Sequence, residues 1–236
     1  MKILVVAAHP DDEVLGCGGT IALRGTEGHD VRIAIVGEGM TSRYESRGDA
    51  DPKLLADLHA KAHEAGRILG AKEVILSKLP DNRLDTVPLL QVVKLIESLV
   101  EKYRPEVIYT HSAGDLNIDH RVVNQAVLAA TRPVAGHPVR EVYAFDVASS
   151  TEWAFGQVEP RFRGNVFVDI SDTLETKLAA MQVYQSETRS FPHPRSPDAL
   201  RATARRWGSV VGLLAAEPFD AVRIIVDRRP EKGSVR

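Results

Sequence analysis

Residues 3–20, ILVVAAHPDDEVLGCGGT, pass from an unbroken apolar run to a histidine, a proline and three consecutive acids, then to a glycine-rich segment. The run is short and rich in β-branched residues, the pattern of a strand buried on both faces. Pro10 holds the residue before it extended, so the strand ends at His9. Asp11, Asp12 and Glu13 then open a helix, where free N–H groups and the helix dipole favour acids. The same turn crowds His9 and the three acids together, and carboxylates so close repel one another unless a cation lies among them.

The alternation of strand and helix continues outward from this unit. Strands are predicted at 3–8, 31–36, 73–79, 106–111, 141–147, 165–170 and 221–226, with helix-period segments at 11–28, 52–70 and 87–105. In the second helical segment Leu54, Leu55, Leu58, Ala62, Ala65 and Leu69 fall on one stripe, and Gly70 is placed to stop it. Such an order predicts an α/β fold: a Rossmann-like, doubly wound, largely parallel sheet with helices on both faces. Ligands then bind beyond the carboxyl ends of the strands where the strand order reverses. With the order 3-2-1-4-5 that point lies between the first and fourth strands, so HPDDE and HSAGDLNIDH would meet there.

Composition narrows the reading further. The 236 residues are read as one domain, 1–236, with a frayed tail at 230–236. A net charge of −2 gives no reason to expect nucleic acid or an anionic membrane as partner. Cys17 is the only cysteine, which rules out an internal disulfide and a cysteine-based zinc site. The first apolar run is too short for a signal sequence and no run reaches the length of a membrane span, so a cytoplasmic protein is expected. Long loops at 37–52, after Val147 and at 186–197 are expected to shape a pocket.

The second cluster, DLNIDHR, places Asp115, Asp119 and His120 after the fourth strand. Two histidines and one carboxylate are a common catalytic zinc set that leaves a position open for water. Spare carboxylates can take the water's proton or hold a ligand histidine by its far nitrogen.

AHPDDE followed by LGCGGT, with GDLNIDHR about 100 residues later, resembles the PIG-L/LmbE family of zinc-dependent N-deacetylases. The segment AAEPFDAVRII is similar to that family's Ala-Glu-x-Phe tail. The resemblance implies Zn2+, or another divalent metal, held by His9, Asp12 and His120, with Asp11 as general base and Asp119 as support. It also implies a small-molecule substrate, an N-acetylated sugar conjugate, and leaves homo-oligomerisation open. Many members read His-Pro-Asp-His at the second motif, where this chain has Asn117 in place of the first histidine. An amide can donate to an oxyanion but cannot carry a proton; His111 or His193 would then have to take that part.

Other residues carry weaker signals. Arg43, Arg47, His193 and Arg195 lie in the long loops and are candidate substrate contacts, most useful toward an anionic sugar. His59 and His63 have a metal-binding spacing but lack the metalloprotease glutamate, so a partly exposed helix face is the simpler reading. Gly16, Gly18 and Gly19 lack the last glycine of a dinucleotide fingerprint and read as close helix–sheet packing, with Cys17 a small buried side chain. Two rival functions remain at this point: a metal-dependent phosphoester hydrolase, and a metal-binding sugar module without turnover.

Overall fold

The computed structural model describes residues 1–44, 49 and 51–226. Its first unit is β1 (Lys2–Ala7), α1 (Asp12–Thr26) and β2 (Asp30–Gly37). There follow α2 (Pro52–Ile68), β3 (Glu73–Leu79), α3 (Leu89–Tyr103), β4 (Val107–His111), α4 (Ile118–Ala130) and β5 (Glu141–Phe145). Next come β6 (Val166–Asp169), α5 (Leu174–Val183), α6 (Pro197–Val211) and β7 (Ala216–Ile224). The seven strands form one sheet in the order β3-β2-β1-β4-β5-β7-β6, so the expected reversal between β1 and β4 is present. β1 to β5 pair in parallel, while β7 runs antiparallel to both β5 and β6.

Burial on both faces explains the unbroken apolar sequence of β1. Ile3, Val5 and Ala7 face a core shared with α1, α2, α5 and α6, whereas Leu4, Val6 and Ala8 face the core beneath α3 and α4. Each fully buried aliphatic side chain of this kind contributes about 1.5–3 kcal/mol. In α2, Leu58, Ala62, Ala65 and Leu69 are buried as the stripe requires, but Leu54 at the first turn is exposed. Gly70 takes φ 71° just past the helix, a left-handed stop that suits glycine.

The last strand departs from expectation: it begins at Ala216, five residues before the predicted Ala221. The strand includes Pro218, which cannot donate to a ladder. It is accommodated opposite Phe167 of β6. The predicted strand at 141–147 closes earlier, at Phe145, and the predicted 165–170 shrinks to Val166–Asp169.

This early start lets Glu217 reach α1. The helix is kinked at Cys17, whose φ of −147° and ψ of 26° are not helical. Glu217 accepts from the N–H groups of Gly19 at 2.9 Å and Thr20 at 2.7 Å, capping the second half of the helix. The Lys177 ammonium donates to the Leu15 carbonyl at 2.8 Å and to Glu217 at 2.6 Å, capping the first half. Close approach makes this possible: a Cβ on Gly16 would lie 2.2 Å from the Phe145 ring, and one on Gly19 would lie 2.8 Å from Ile170. The packing reading of these glycines is the one the structure supports. Breaking a buried ion pair from one side leaves the other charge stranded. Glu217→Ala should therefore cost roughly 3–5 kcal/mol in denaturant unfolding; a loss under about 1 kcal/mol would show that the pair does not hold the kink.

Candidate metal centre

β1 delivers Ala8 and His9 to the carboxyl edge, and the chain then turns through Pro10 into α1. Asp11 takes a left-handed backbone conformation, φ 108°, of the kind that costs about 1–3 kcal/mol and persists only where the surroundings impose it. Here Glu13 imposes it: one carboxylate oxygen accepts the Asp11 N–H at 3.0 Å and the other accepts the Tyr184 hydroxyl at 2.7 Å. The unusual backbone sends the Asp11 and Asp12 side chains to different partners.

Asp12 Oδ2 accepts the His9 N–H at 2.8 Å and lies 3.3 Å from His9 Nδ1 and 3.2 Å from His120 Nε2. His120 comes from the first turn of α4, which Asn117 caps by accepting the Asp119 N–H at 2.8 Å. The far nitrogen of each histidine meets carboxylate. His9 Nε2 lies 3.0 Å from Asp119 and 3.3 Å from Asp81, and His120 Nδ1 lies 3.1 Å from Asp115. Asp119 thus supports His9 rather than its sequence neighbour, and its other oxygen accepts the Leu84 N–H at 2.8 Å. Asp115 is held in turn by the hydroxyls of Ser150 and Thr151.

The donor atoms of His9, Asp12 and His120 all lie within 4.8 Å of one another. With their far nitrogens facing carboxylates, both histidines turn their near nitrogens toward Asp12 Oδ2, an arrangement that repels unless a proton or a metal ion intervenes. Asp11, Asp12, Asp81, Asp115 and Asp119 are each at most 3 % exposed, and Arg195 is the arginine that meets them, with Nη1 2.7 Å from Asp11. The donor set and this excess of buried negative charge both fit a divalent cation.

The electrostatics of the protein groups follow from this crowding. Burial works against charge on His120, but the Asp12 carboxylate, helped by Asp115, holds its pKa up to about 9. His9 is raised well above the ordinary histidine value: burial opposes this, and hydrogen bonds to Asp119 and Asp12 outweigh it. For Asp115, burial is outweighed by His120 and the two hydroxyls, giving about 2. Burial pushes Asp11 well above the usual carboxylate range against the pull of Arg195, and pushes Glu13 up to about 7.

A cavity of about 220 Å³ opens onto this cluster. Among the predicted residues His9, Asp11, Asp12, Asn117, His120 and Arg195 line it, whereas Asp119 stands behind His9. His193 is not in the lining; it accepts the Arg195 N–H at 3.1 Å and packs edge-on to Trp153. Arg43 lies in a short turn, Thr41–Arg43, and Arg47 lies outside the described residues, as does the predicted frayed tail 230–236. His111 is fully buried, accepts the Ala8 N–H at 2.8 Å, and is held well below its ordinary pKa by burial. His59 meets the Glu38 carbonyl at 3.3 Å, and His63 is exposed.

Sequence reasoning missed Asp81, although it too follows the carboxyl end of a strand. Its reach to His9 depends on the path of the segment after β3, which crosses to α4 through Leu84. It missed Ser149 as well, whose hydroxyl accepts Arg195 Nε at 2.7 Å.

A parallel α/β sheet whose switch point holds two histidines, one carboxylate between them and a second carboxylate alongside defines a metal-dependent hydrolase. The chain belongs to the PIG-L family, described as GlcNAc-PI de-N-acetylase, whose model matches residues 4–131, and with it to the N-deacetylases. A probable N-acetyl-alpha-D-glucosaminyl L-malate deacetylase 2 of Bacillus cereus is 25% identical over 192 residues, covering 80% of this chain and 84% of that protein. Diacetylchitobiose deacetylase of Thermococcus kodakarensis is 26% identical over 223 residues, covering 92% and 81%. The crystal structure of the conserved protein TT1542 from Thermus thermophilus superposes with a TM-score of 0.73 at 26% identity, covering 95% of this chain and 96% of that one. Among the described residues no helix is long and apolar enough to cross a membrane.

Three measurements probe the cluster. Metal uptake must displace protons from His9 and His120. Affinity for a divalent ion, read by chelator competition, should rise between pH 6.5 and about 9. In chelated protein the raised His120 pKa acts in the opposite sense: its stabilisation is complete below 6.5 and lost as pH climbs through about 9, so Tm should fall across that window. A pH-independent affinity would contradict the arrangement. Removing one acceptor from His9 Nε2 by Asp81→Ala should weaken metal binding by roughly 10-fold, the lower end for such partners; unchanged affinity would leave Asp119 as the sole orienting group.

Proposed function

We propose that this chain is a zinc-dependent hydrolase that removes the acetyl group from the nitrogen of an N-acetylglucosamine-type conjugate, releasing acetate and a free amine. The observation that carries this reading is the His9–Asp12–His120 triad, with the Asp11 carboxylate beside it in one polar cavity. Two nitrogens and one carboxylate favour zinc over a hard cation, which prefers oxygen throughout. The deacetylases to which the chain is similar act on N-acetylated sugars by name, and their family supplies the reaction class. The cavity volume of about 220 Å³ is below the roughly 300 Å³ at which drug-sized pockets begin. It suits a single acetamido sugar ring with its aglycone outside. Ser42, Asn82 and Ser149 on the lining offer the neutral donors and acceptors that sugar hydroxyls need.

When bound, the divalent ion supplies Lewis acidity to the amide carbonyl and acidifies water. The remaining work falls to side chains. Asp11 accepts a proton from water as the C–O bond forms. It then delivers that proton to the departing nitrogen as the C–N bond breaks, so amide and water give amine and acetate. Arg195 at 2.7 Å favours the charged form of Asp11, which suits the first step, and burial raises its pKa, which suits the second. His111 is unsuited to that proton, because its Nε2 lone pair is already engaged with the Ala8 N–H. Asn117 spends its oxygen on the cap and one amide hydrogen on Asn82 at 2.8 Å, which leaves one hydrogen for an oxyanion.

Acetate release from a panel of N-acetylated sugars tests the activity, and paired variants test the roles. Asp11→Asn should retain the metal and lose kcat by on the order of 10²-fold or more. Asp12→Asn should lose the metal itself. The reverse pattern would exchange the two roles, and two metals per chain with phosphoester turnover would replace the reading altogether.

A further inference from the structure

A second cavity, of about 240 Å³, lies on the far side of the segment that carries Ser149 and Ser150. Leu15, Leu200, Ala204 and Trp207 give it apolar walls. Its charged lining residues are Asp146, Glu152, Glu217 and Lys177, three acids against one base.

Most of these charges are already committed. Lys177 is bound to Glu217 and the Leu15 carbonyl, and Glu217 to the N–H groups of α1. The Glu152 oxygens accept the N–H groups of Ser149 and Ser150 at 2.6 and 3.3 Å. Asp146 is the exception: among the described residues its carboxylate has no ion pair and no hydrogen bond to another side chain. Burial pushes its pKa up to about 7, against the pull of Lys177. It belongs neither to the metal cluster nor to the kink.

A carboxylate without a side-chain partner among the described residues, in a concave, half-apolar site, is a charge-assisted acceptor for an ammonium ion, and Trp207, over whose ring the Arg206 guanidinium already lies at 4.9 Å, adds an apolar wall for the body that carries it. An anion would meet three acids there and find Lys177 already engaged. We propose that this cavity is a second ligand site, separate from the metal cavity, for a small primary ammonium ion on a ring-sized body, with Asp146 as anchor and Trp207 as wall.

The chain has two tryptophans, and Trp153→Phe leaves Trp207 as the sole reporter. Metal-loaded Trp153→Phe protein is titrated with glucosamine at constant ionic strength, with N-acetylglucosamine as the uncharged control. Glucosamine should produce a saturable change in Trp207 emission, and N-acetylglucosamine none. Adding Asp146→Asn should weaken the response at least 10-fold. In case that variant misfolds, Thr203→Lys, at an exposed α6 position on the cavity lining, places a competing ammonium in the site and should abolish the response. A response absent in the Trp153→Phe protein, equal for both sugars, or unaffected by either added substitution would overturn the proposal.

Discussion

Five buried aspartates within reach of two histidines form the constraint around which this molecule is arranged. Burying isolated carboxylates costs several kcal/mol each, so every one must be met. Arg195 meets Asp11, two hydroxyls meet Asp115, and Leu84 N–H and His9 meet Asp119. Asp12 is left facing two imidazole nitrogens, and that residual demand is what a cation satisfies. The loops after β3 and β5, which look remote in sequence, bring hydrogen-bond donors to these carboxylates as well as shaping the cavity.

The same constraint explains why α1 is not a straight helix. Its first turn must place Asp11 and Asp12 at the edge, while its later turns must pack Gly16 and Gly19 against Phe145 and Ile170. A kink at Cys17 reconciles the two, and kinks expose backbone groups that need partners. Lys177 and Glu217 supply them from α5 and β7. The Ala-Glu-x-Phe tail therefore has a local reason: its glutamate finishes a helix from the other end of the chain.

The parallel core and the strand order across β1 and β4 were legible because each rests on short-range pattern, whereas the choice of His9, Asp12 and His120 among the clustered residues came from the family resemblance. Apolar runs betray strands buried on both faces, and His9 and His120 each stand directly at a strand–helix junction. What stayed hidden depends on tertiary path. Asp81 reaches His9 through a crossing loop, Tyr184 fixes Asp11 through Glu13, and Asp115 rather than Asp119 orients His120. The start of β7 at Ala216 was not legible either, because a strand tolerates a residue such as Pro218 only beside a partner strand that pattern alone cannot place. Asp146, which has no side-chain partner among the described residues, left no mark at all, since an acid after a strand reads the same whether or not it has a partner.

Glu217 also ties the order of folding to the order of the chain. The bond from Gly19 to Glu217 spans 198 residues, and the one from Lys177 to Leu15 spans 162. Contacts of such separation close slowly, since the entropy of the intervening chain is lost before they form. On a ribosome, β1, β2 and the first half of α1 emerge long before the residues that splice the helix. The two halves of α1 must wait, unjoined, until Lys177 and Glu217 have been made.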